Sequence, residues 1–196
     1  MSSVTSWSWR SVLAASNTAA PSRANSRAAV AIVVSATYEV LAWNALACAL
    51  MEDFSALSVR DRSLARRAFL GPPVRGRRLY GVSDADEFAR TCALHLRAAA
   101  VRYPSDPGTI ALVDELRSGS VEFELLRETR DVISQSRQCK TLHHPLVGQV
   151  WVNCDVLDIA DRDQRVVIYT VDPGSPAAEA MRLLAVVGTQ RLDVRG

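Results

Sequence analysis

The fold is decided by residues 140–176, KTLHHPLVGQVWVNCDVLDIADRDQRVVIYTVDPGSP. Residues 150, 152, 154 and 156 are apolar and alternate with residues 151, 153, 155 and 157, which is the period of two of a strand. A polar turn at residues 161–164 separates this strand from the apolar run at residues 166–171. The two runs predict a long antiparallel hairpin.

A helix is predicted directly after the hairpin. Asp172-Pro173-Gly174 ends the second strand, and Ser175 follows as an N-cap with Pro176 at the first helical position. The helix is expected to run over residues 177–187 and to end at Gly188. Because a two-stranded ribbon is marginally stable alone, the rest of the chain must supply further strands and a covering layer.

The chain before the hairpin supplies both. Two short strands are predicted at residues 30–34 and 38–42, around a Ser-Ala-Thr turn. Asn44, Asp106 and Ser120 are predicted to cap helices, and either Asp84 or Asp86 is predicted to cap the helix that ends at about residue 103. Apolar spacing predicts five helices and two further strand candidates: helices at 45–51, 58–70, 84–103, 108–117 and 121–130, and strands at 132–133 and 139–142. This order predicts an α+β domain with a largely antiparallel sheet and helices mainly on one face.

Length and composition predict one folded domain. A chain of 196 residues with 48% apolar content is long enough for a sizeable core. We expect a disordered tail at residues 1–29, the domain at residues 30–190 and a C-terminal tail at residues 191–196. A transit peptide is the alternative for the first segment, which is rich in Ser and Arg and poor in acids.

The charge distribution argues against a general nucleic-acid-binding surface. The net charge is +2, but residues 60–78 alone carry seven Arg and one Asp. The body of the domain is therefore acidic, and a basic face of the kind that binds nucleic acid is not expected.

Metal and catalytic sites are not predicted. The four cysteines have no CxxC spacing, which indicates reduced, structural residues of a cytoplasmic protein without a zinc site or a cofactor. His143-His144 invites an acid/base or metal interpretation, but HExxH and GxSxG motifs are absent from the sequence. A structural hydrogen bond at a strand end is the preferred interpretation, and a small hydrolase using His144 is the least favoured class. No apolar run approaches the length of a membrane span.

A series of short motifs resembles a known family. They occur in the same order as in the ligand-binding domain of MmyB-like transcriptional regulators, over about residues 30–187. The motifs are LAWN at 41–44, ARRAFLGP at 65–72, LRAA at 96–99, PSDP at 104–107 with LVDEL at 112–116, SVEF at 120–123, LHHPLVG at 142–148 and YTVDPGSP at 169–176. The resemblance implies a PAS-like fold and a sensor of a small apolar molecule, such as a fatty acid.

The resemblance also implies partners. Such domains usually follow a helix-turn-helix of the XRE type, and residues 1–29 are too short to contain a recognition helix. We therefore expect DNA contact only through a partner or a missing N-terminal domain, and homodimers are a further expectation. The family tends to have Asn in place of Ser63 and Trp in place of Ala85. It tends to have Trp in place of Arg127 and His in place of Arg130. These changes predict a reshaped pocket.

The predicted binding mode is burial of an apolar tail between sheet and helices, with a polar head fixed by one or two groups. The expected lining residues are Trp43, Phe69, Phe88, Leu96, Phe123 and Tyr169. The expected head-group residues are Arg97 and His144. Ordinary core packing is the preferred interpretation of each aromatic lining residue taken alone, and structural hydrogen bonds are the alternative for Arg97 and His144. The alternative function is a protein–protein interaction module that uses the sheet face or the Arg60–Arg78 segment.

Overall fold

One antiparallel sheet forms the centre of the domain. The computed structural model describes residues 29–71, 79–129 and 138–193. The strands are β1 Val30–Ser35, β2 Val40–Trp43, β3 Gln138–His144, β4 Gly148–Ile159 and β5 Gln164–Thr170. They lie in the order β2-β1-β5-β4-β3, and every neighbouring pair is antiparallel. The long hairpin is formed by β4 and β5, and the predicted antiparallel sheet is confirmed.

Six α-helices occur within the described ranges. They are α1 Ala45–Leu50, α2 Leu64–Phe69, α3 Ala85–Arg102, α4 Pro107–Gly119, α5 Val121–Glu128 and α6 Pro176–Asp193. The first five follow β2 in the chain and precede β3, and α6 follows β5. The α+β class is therefore confirmed. No helix of the described residues is long and apolar enough to cross a membrane.

The core lies on one face of the sheet. Val30, Ile32 and Val34 of β1 share this face and are at most 1% exposed. They belong to the same buried cluster as helix residues such as Leu96 and Phe123. On the opposite face, side chains of β4 such as Trp151 remain 67% exposed. Helices therefore cover mainly one face, as the sequence pattern predicts, because only that face presents a continuous apolar surface.

The predicted caps at Asn44, Asp106, Ser120 and Ser175 are present, and Ser175 Oγ accepts a hydrogen bond from the Ala178 amide at 3.1 Å at the start of α6. The side chains of Asn44, Asp106 and Ser120 each accept a hydrogen bond from the backbone amide three residues further on, at 3.0, 2.7 and 3.2 Å. Each bond satisfies a donor that the first helical turn leaves unpaired. These caps set the starts of α1, α4, α5 and α6.

The basic helix predicted over residues 58–70 is shorter than expected. Residues 58–62 form turns, and α2 begins only after Ser63, whose Oγ accepts a hydrogen bond from the Arg66 amide at 3.2 Å. The Arg62 carbonyl accepts a hydrogen bond from the Val40 amide at 3.1 Å, and Ser63 forms a bridge with Glu39. Pairing with the strand edge therefore replaces the first helical turn.

Two further boundaries differ from expectation. β2 begins at Val40, because Tyr38 has a left-handed backbone with φ 63° and belongs to the preceding turn. α6 continues through Gly188 to Asp193, so the predicted stop at Gly188 is wrong; a glycine within a helix is tolerated at a modest cost. The strand candidate at residues 132–133 and, apart from Ala29, the predicted N-terminal tail lie outside the described residues.

Candidate functional site

Three of the predicted lining residues come together between helices. Phe69 of α2 and Phe123 of α5 pack edge to face, with ring centroids 5.0 Å apart. Phe123 and Leu96 of α3 are fully buried, and Phe69 is half-buried against the same core. The three helices therefore bring an aromatic and aliphatic cluster, which we call the Phe123 cluster (Phe69, Leu96 and Phe123), into the core beside the sheet.

Trp43 and Phe88 have different partners. The Trp43 ring lies 5.5 Å from the Phe54 ring, and the Arg62 guanidinium lies 5.1 Å above the Trp43 ring. Phe88 packs edge-on against Tyr38, with centroids 5.3 Å apart. The predicted lining residues are thus distributed along the core, and their contacts are those of well-packed side chains.

Tyr169 lies on the core face of β5, paired in register with Cys154 of β4. Burial raises the pKa of the Tyr169 hydroxyl far above its ordinary value, and Cys154 and the Asp84 carboxylate add to this effect. Burial also raises the pKa of the Cys154 thiol. Both groups are therefore neutral at physiological pH and suited to an apolar environment.

An ion pair near Tyr169 links strand β3 to the start of helix α3. Nζ of Lys140, on the core-facing side of β3, lies 2.7 Å from Oδ2 of Asp84 at the start of α3. The two side chains are only 11% and 17% exposed. Asp84 makes no capping hydrogen bond to its helix, and its Oδ1 has no hydrogen-bond partner. The pair joins strand to helix, and sequence analysis assigned Asp84 only a capping role.

The two predicted head-group residues make backbone contacts. Nη1 of Arg97 donates to the carbonyl oxygens of Arg127 at 3.0 Å and Thr129 at 2.7 Å, at the C-terminal end of α5. Nδ1 of His144 accepts a hydrogen bond from the Leu146 amide at 3.2 Å in the β3–β4 turn. These contacts favour structural roles. Among the described residues, no group of His, Cys, Asp or Glu could hold a metal ion.

A polar cluster that the sequence analysis missed lies at the other end of the core face. Nη1 of Arg165 lies 2.8 Å from the Tyr38 hydroxyl and 2.5 Å from Nδ1 of His95. The Tyr38 hydroxyl lies 2.6 Å from the same ring nitrogen. We call these three residues the Arg165 cluster. The available sequence signal was the alternation of β5, which places Arg165 on the same face as Val167 and Tyr169.

Burial makes the Arg165 cluster electrostatically unusual. Burial, and to a smaller extent the Arg165 charge, lower the pKa of His95 from 6.5 to about 4. Burial likewise raises the pKa of Tyr38, with a smaller contribution from Cys92. His95 and Tyr38 are therefore neutral at pH 7, and Arg165 carries the charge of the cluster.

An open groove of about 490 Å³ lies at the start of α6, beside the exposed face of β4. Its lining includes Trp151, Asn153, Cys139, Asp172 and Pro176. Nδ2 of Asn153 donates to Oδ1 of Asp172 at 3.2 Å, which fixes one wall. None of the eight predicted site residues lines this groove.

Comparison with known families decides the class of the domain. The MmyB-like transcription regulator ligand binding domain matches residues 25–184. The chain belongs to this family. The matched range contains all five strands and the first half of α6, so this MmyB-like domain comprises the whole described sheet and most of its helical cover. No curated protein matches the chain significantly.

Family membership makes this chain a ligand-sensing regulatory domain. In this MmyB-like domain, the structure describes three of the four positions at which the resemblance predicts a departure from the family pattern. Ser63 caps α2, and Ala85 is the first residue of α3. Nε of Arg127 is buried and has no hydrogen-bond partner among the described residues, while Arg130 lies outside them.

Proposed function

We propose that this MmyB-like domain senses a small, fatty-acid-like apolar molecule in the cytoplasm and thereby controls transcription. DNA contact is supplied by a helix-turn-helix of the XRE type, on a partner or on another segment of the same regulator. The observation that carries the proposal is the Phe123 cluster, in which Phe69 of α2 and Phe123 of α5 are in edge-to-face contact in the same buried core as Leu96 of α3. An apolar tail gains about 25 cal/mol per Å² of surface that it buries there.

Sensing requires two arrangements of the domain, only one of which accommodates the ligand. Phe69 is the half-buried member of the Phe123 cluster and lies on α2, a helix of only six residues. A tail that enters between Phe69 and Phe123 displaces this short helix from α5. Because α2 is followed by a connection to α3, such a displacement would change the surface that a regulatory partner contacts.

The other predicted lining residues extend the proposed site along the sheet. Phe88 lies on the same helix as Leu96, and Trp43 and Tyr169 come from the core-facing side of β2 and β5. Together they offer an apolar path from the Phe123 cluster toward the sheet. Trp43, Phe88 and Tyr169 contribute to this path as lining groups, in addition to their packing.

The first experiment is native mass spectrometry of the purified full-length chain, together with solvent extraction of the same preparation. A co-purifying lipid-sized mass supports the proposal, and its identity gives the ligand class. If the protein is empty, a panel of fatty acids of increasing chain length is added and the melting temperature is followed. An empty protein whose melting temperature no fatty acid raises would refute the proposal, since a ligand of the native state must stabilise it.

Phe69→Ala tests the location. Removal of the ring enlarges the site, so we expect the preferred fatty acid to become longer. Leu125→Ala is the matched control, because Leu125 lies on α5 near Phe123 but is 63% exposed. This control should bind as the wild type does. An unchanged chain-length preference in Phe69→Ala would place the ligand elsewhere.

A protein–protein interaction module is the second candidate, and the open groove beside Trp151 favours it. A 67% exposed Trp is the kind of anchor that interfaces bury. The basic segment is a weaker candidate surface, since Arg60 and Arg66 bind Glu115 and Arg67 binds Glu52. Sedimentation analysis of the wild type and Trp151→Glu tests whether this face supports a homodimer. A dimer that persists in the variant excludes the face.

A further inference from the structure

We propose that the Arg165 cluster binds the carboxylate head of the ligand whose tail enters the core. The assignment rests on the proposed function and adds to it the residues that hold the charged head of the ligand. Arg165 supplies the charge, and Tyr38 supplies a hydroxyl beside it.

The guanidinium of Arg165 is positioned for an additional acceptor. Its side chain is only 13% exposed and is held from one side, where Nη1 contacts the Tyr38 hydroxyl and His95 Nδ1. Nη2 makes no hydrogen bond to the residues that the structure describes. Because a guanidinium presents its donors as a planar fork, a carboxylate is the acceptor that matches the unused edge.

The charge of Arg165 is poorly compensated. Within the described ranges, the carboxylate that pairs with it is Asp158, whose oxygen lies 3.8 Å from Nε, beyond hydrogen-bond distance, and whose side chain is 53% exposed. The other members of the cluster, Tyr38 and His95, carry no charge at pH 7. A cation this deeply buried gains from a closer anion, because low dielectric strengthens their attraction.

The backbone at Tyr38 is consistent with a constrained site. Tyr38 has φ 63°, a left-handed conformation that is uncommon for a residue other than glycine. The turn holds it there through a hydrogen bond from its amide to the Ser35 carbonyl at 3.0 Å, and its carbonyl accepts from the Leu64 amide at 2.9 Å. This conformation directs the hydroxyl toward Arg165, and such outliers occur often at binding sites.

The Arg165 cluster also adjoins the row of apolar side chains on α3. Tyr38 contacts Phe88, and Phe88, Cys92 and Leu96 recur every four residues along α3 on one helical face. Cys92 and Leu96 are fully buried and flank His95 of the Arg165 cluster along α3, so buried apolar side chains adjoin the cluster directly. A head held by Arg165 therefore places an attached tail beside Leu96 of the Phe123 cluster.

Two probes with the same tail separate head recognition from tail burial. Calorimetric titration of the full-length chain with dodecanoate and with dodecanol, below their aggregation concentrations, compares a charged with an uncharged head. We expect the wild type to prefer dodecanoate by about tenfold or more, which corresponds to one charge-assisted hydrogen-bonded pair. Arg165→Gln should abolish the preference by weakening dodecanoate binding, and dodecanol binding should stay unchanged.

Tyr38→Phe provides a second variant that keeps the ring packing and should reduce the preference. Arg60→Gln is the matched control, since Arg60 is 66% exposed and pairs with Glu115 at the surface; it should retain the wild-type preference. If Arg165→Gln does not fold, as judged by circular dichroism, Tyr38→Phe decides.

The outcomes distinguish the two proposals. Equal binding of both probes by the wild type, or a preference that survives both variants, overturns the head-group assignment and leaves the apolar sensor standing. Binding of neither probe overturns the proposed function and the assignment together.

Discussion

Asn44 binds both the first turn of α1 and strand β1. Its Oδ1 accepts hydrogen bonds from the amides of Ala47 at 3.0 Å and Ala31 at 3.3 Å. Its Nδ2 donates to the Ala29 carbonyl at 2.8 Å. A single amide, 9% exposed, thus serves as a helix cap and as a link to the start of the sheet.

Asn44→Ala is expected to lower the free energy of unfolding by about 2–3 kcal/mol. About 1 kcal/mol comes from the lost cap, and the remainder from backbone groups of β1 that lose their partners in a buried environment. Urea unfolding followed by circular dichroism measures the change.

Asp53→Ala is the control for this prediction. Asp53 Oδ1 accepts a hydrogen bond from the Ser55 amide at 3.0 Å, at an exposed site. A loss of about 1 kcal/mol or less is expected there. Equal losses in the two variants would show that the link from Asn44 to β1 contributes nothing.

Lys140→Met is expected to destabilise the domain by about 2 kcal/mol, because it leaves Asp84 charged in a mostly buried position. The loss is smaller than for a fully buried pair, since both side chains retain some contact with water. The double variant Asp84→Leu/Lys140→Met removes both charges and should recover much of the loss. A double variant less stable than Lys140→Met would contradict this account.

The hairpin and the caps could be predicted because their causes are local. Alternation along β4 and β5 fixes which side chains face the core, and a Ser, Asn or Asp before an apolar run fixes a helix start. The late start of α2, at Leu64 and not at residue 58, was not predicted, because the Arg62 carbonyl pairs with the Val40 amide across 22 positions of the chain. That competition between strand edge and helix depends on the tertiary fold.

The candidate site was harder to predict for the same reason. Arg165 and Tyr38 are 127 positions apart, and only the assembled sheet and α3 bring them together with His95. An inward-facing Arg in an apolar strand was a signal in the sequence, but its partners were not. For Arg97, the helical spacing gave no indication that its guanidinium meets the carbonyl groups at the end of α5.

Two glycines should respond in opposite directions to alanine. A Cβ at Gly71 would lie 2.5 Å from the Arg67 carbonyl oxygen, so backbone must shift, and we expect a loss of about 1–3 kcal/mol. A Cβ at Gly108, in the first turn of α4, would come no closer than 3.4 Å to Asp106 Oδ2. Gly108→Ala should stabilise by about 0.5 kcal/mol through a less flexible unfolded chain. Equal effects in urea unfolding would contradict the contact geometry.

Acid should weaken the fold partly through His95. Burial, and then the Arg165 charge, lower the pKa of this ring from 6.5 to about 4 in the folded state. Between these values the unfolded chain binds a proton that the folded chain does not. The stability contribution of the neutral ring is therefore complete above pH 6.5, is lost as pH falls toward 4, and changes no further below that.

His95→Gln, which keeps an acceptor, should lose less stability between pH 7.5 and pH 4.5 than the wild type. Urea unfolding of both proteins at the two pH values measures the difference, in which the shared carboxylate contributions cancel. Parallel pH profiles would show that His95 does not titrate with the expected shift.

Arg97→Met separates a structural role from the head-group role that the sequence suggests for this residue. The variant removes two hydrogen bonds from a charged donor to the last carbonyl groups of α5, where the helix dipole favours a cation. We expect a loss of about 1–2 kcal/mol of unfolding free energy, with dodecanoate affinity unchanged in the folded protein. Arg102→Met is the control, because Arg102 is 65% exposed and its ion pair with Asp163 should contribute less than about 1 kcal/mol. A folded Arg97→Met of wild-type stability that no longer prefers dodecanoate to dodecanol would instead return the head-group role to Arg97 and remove it from Arg165.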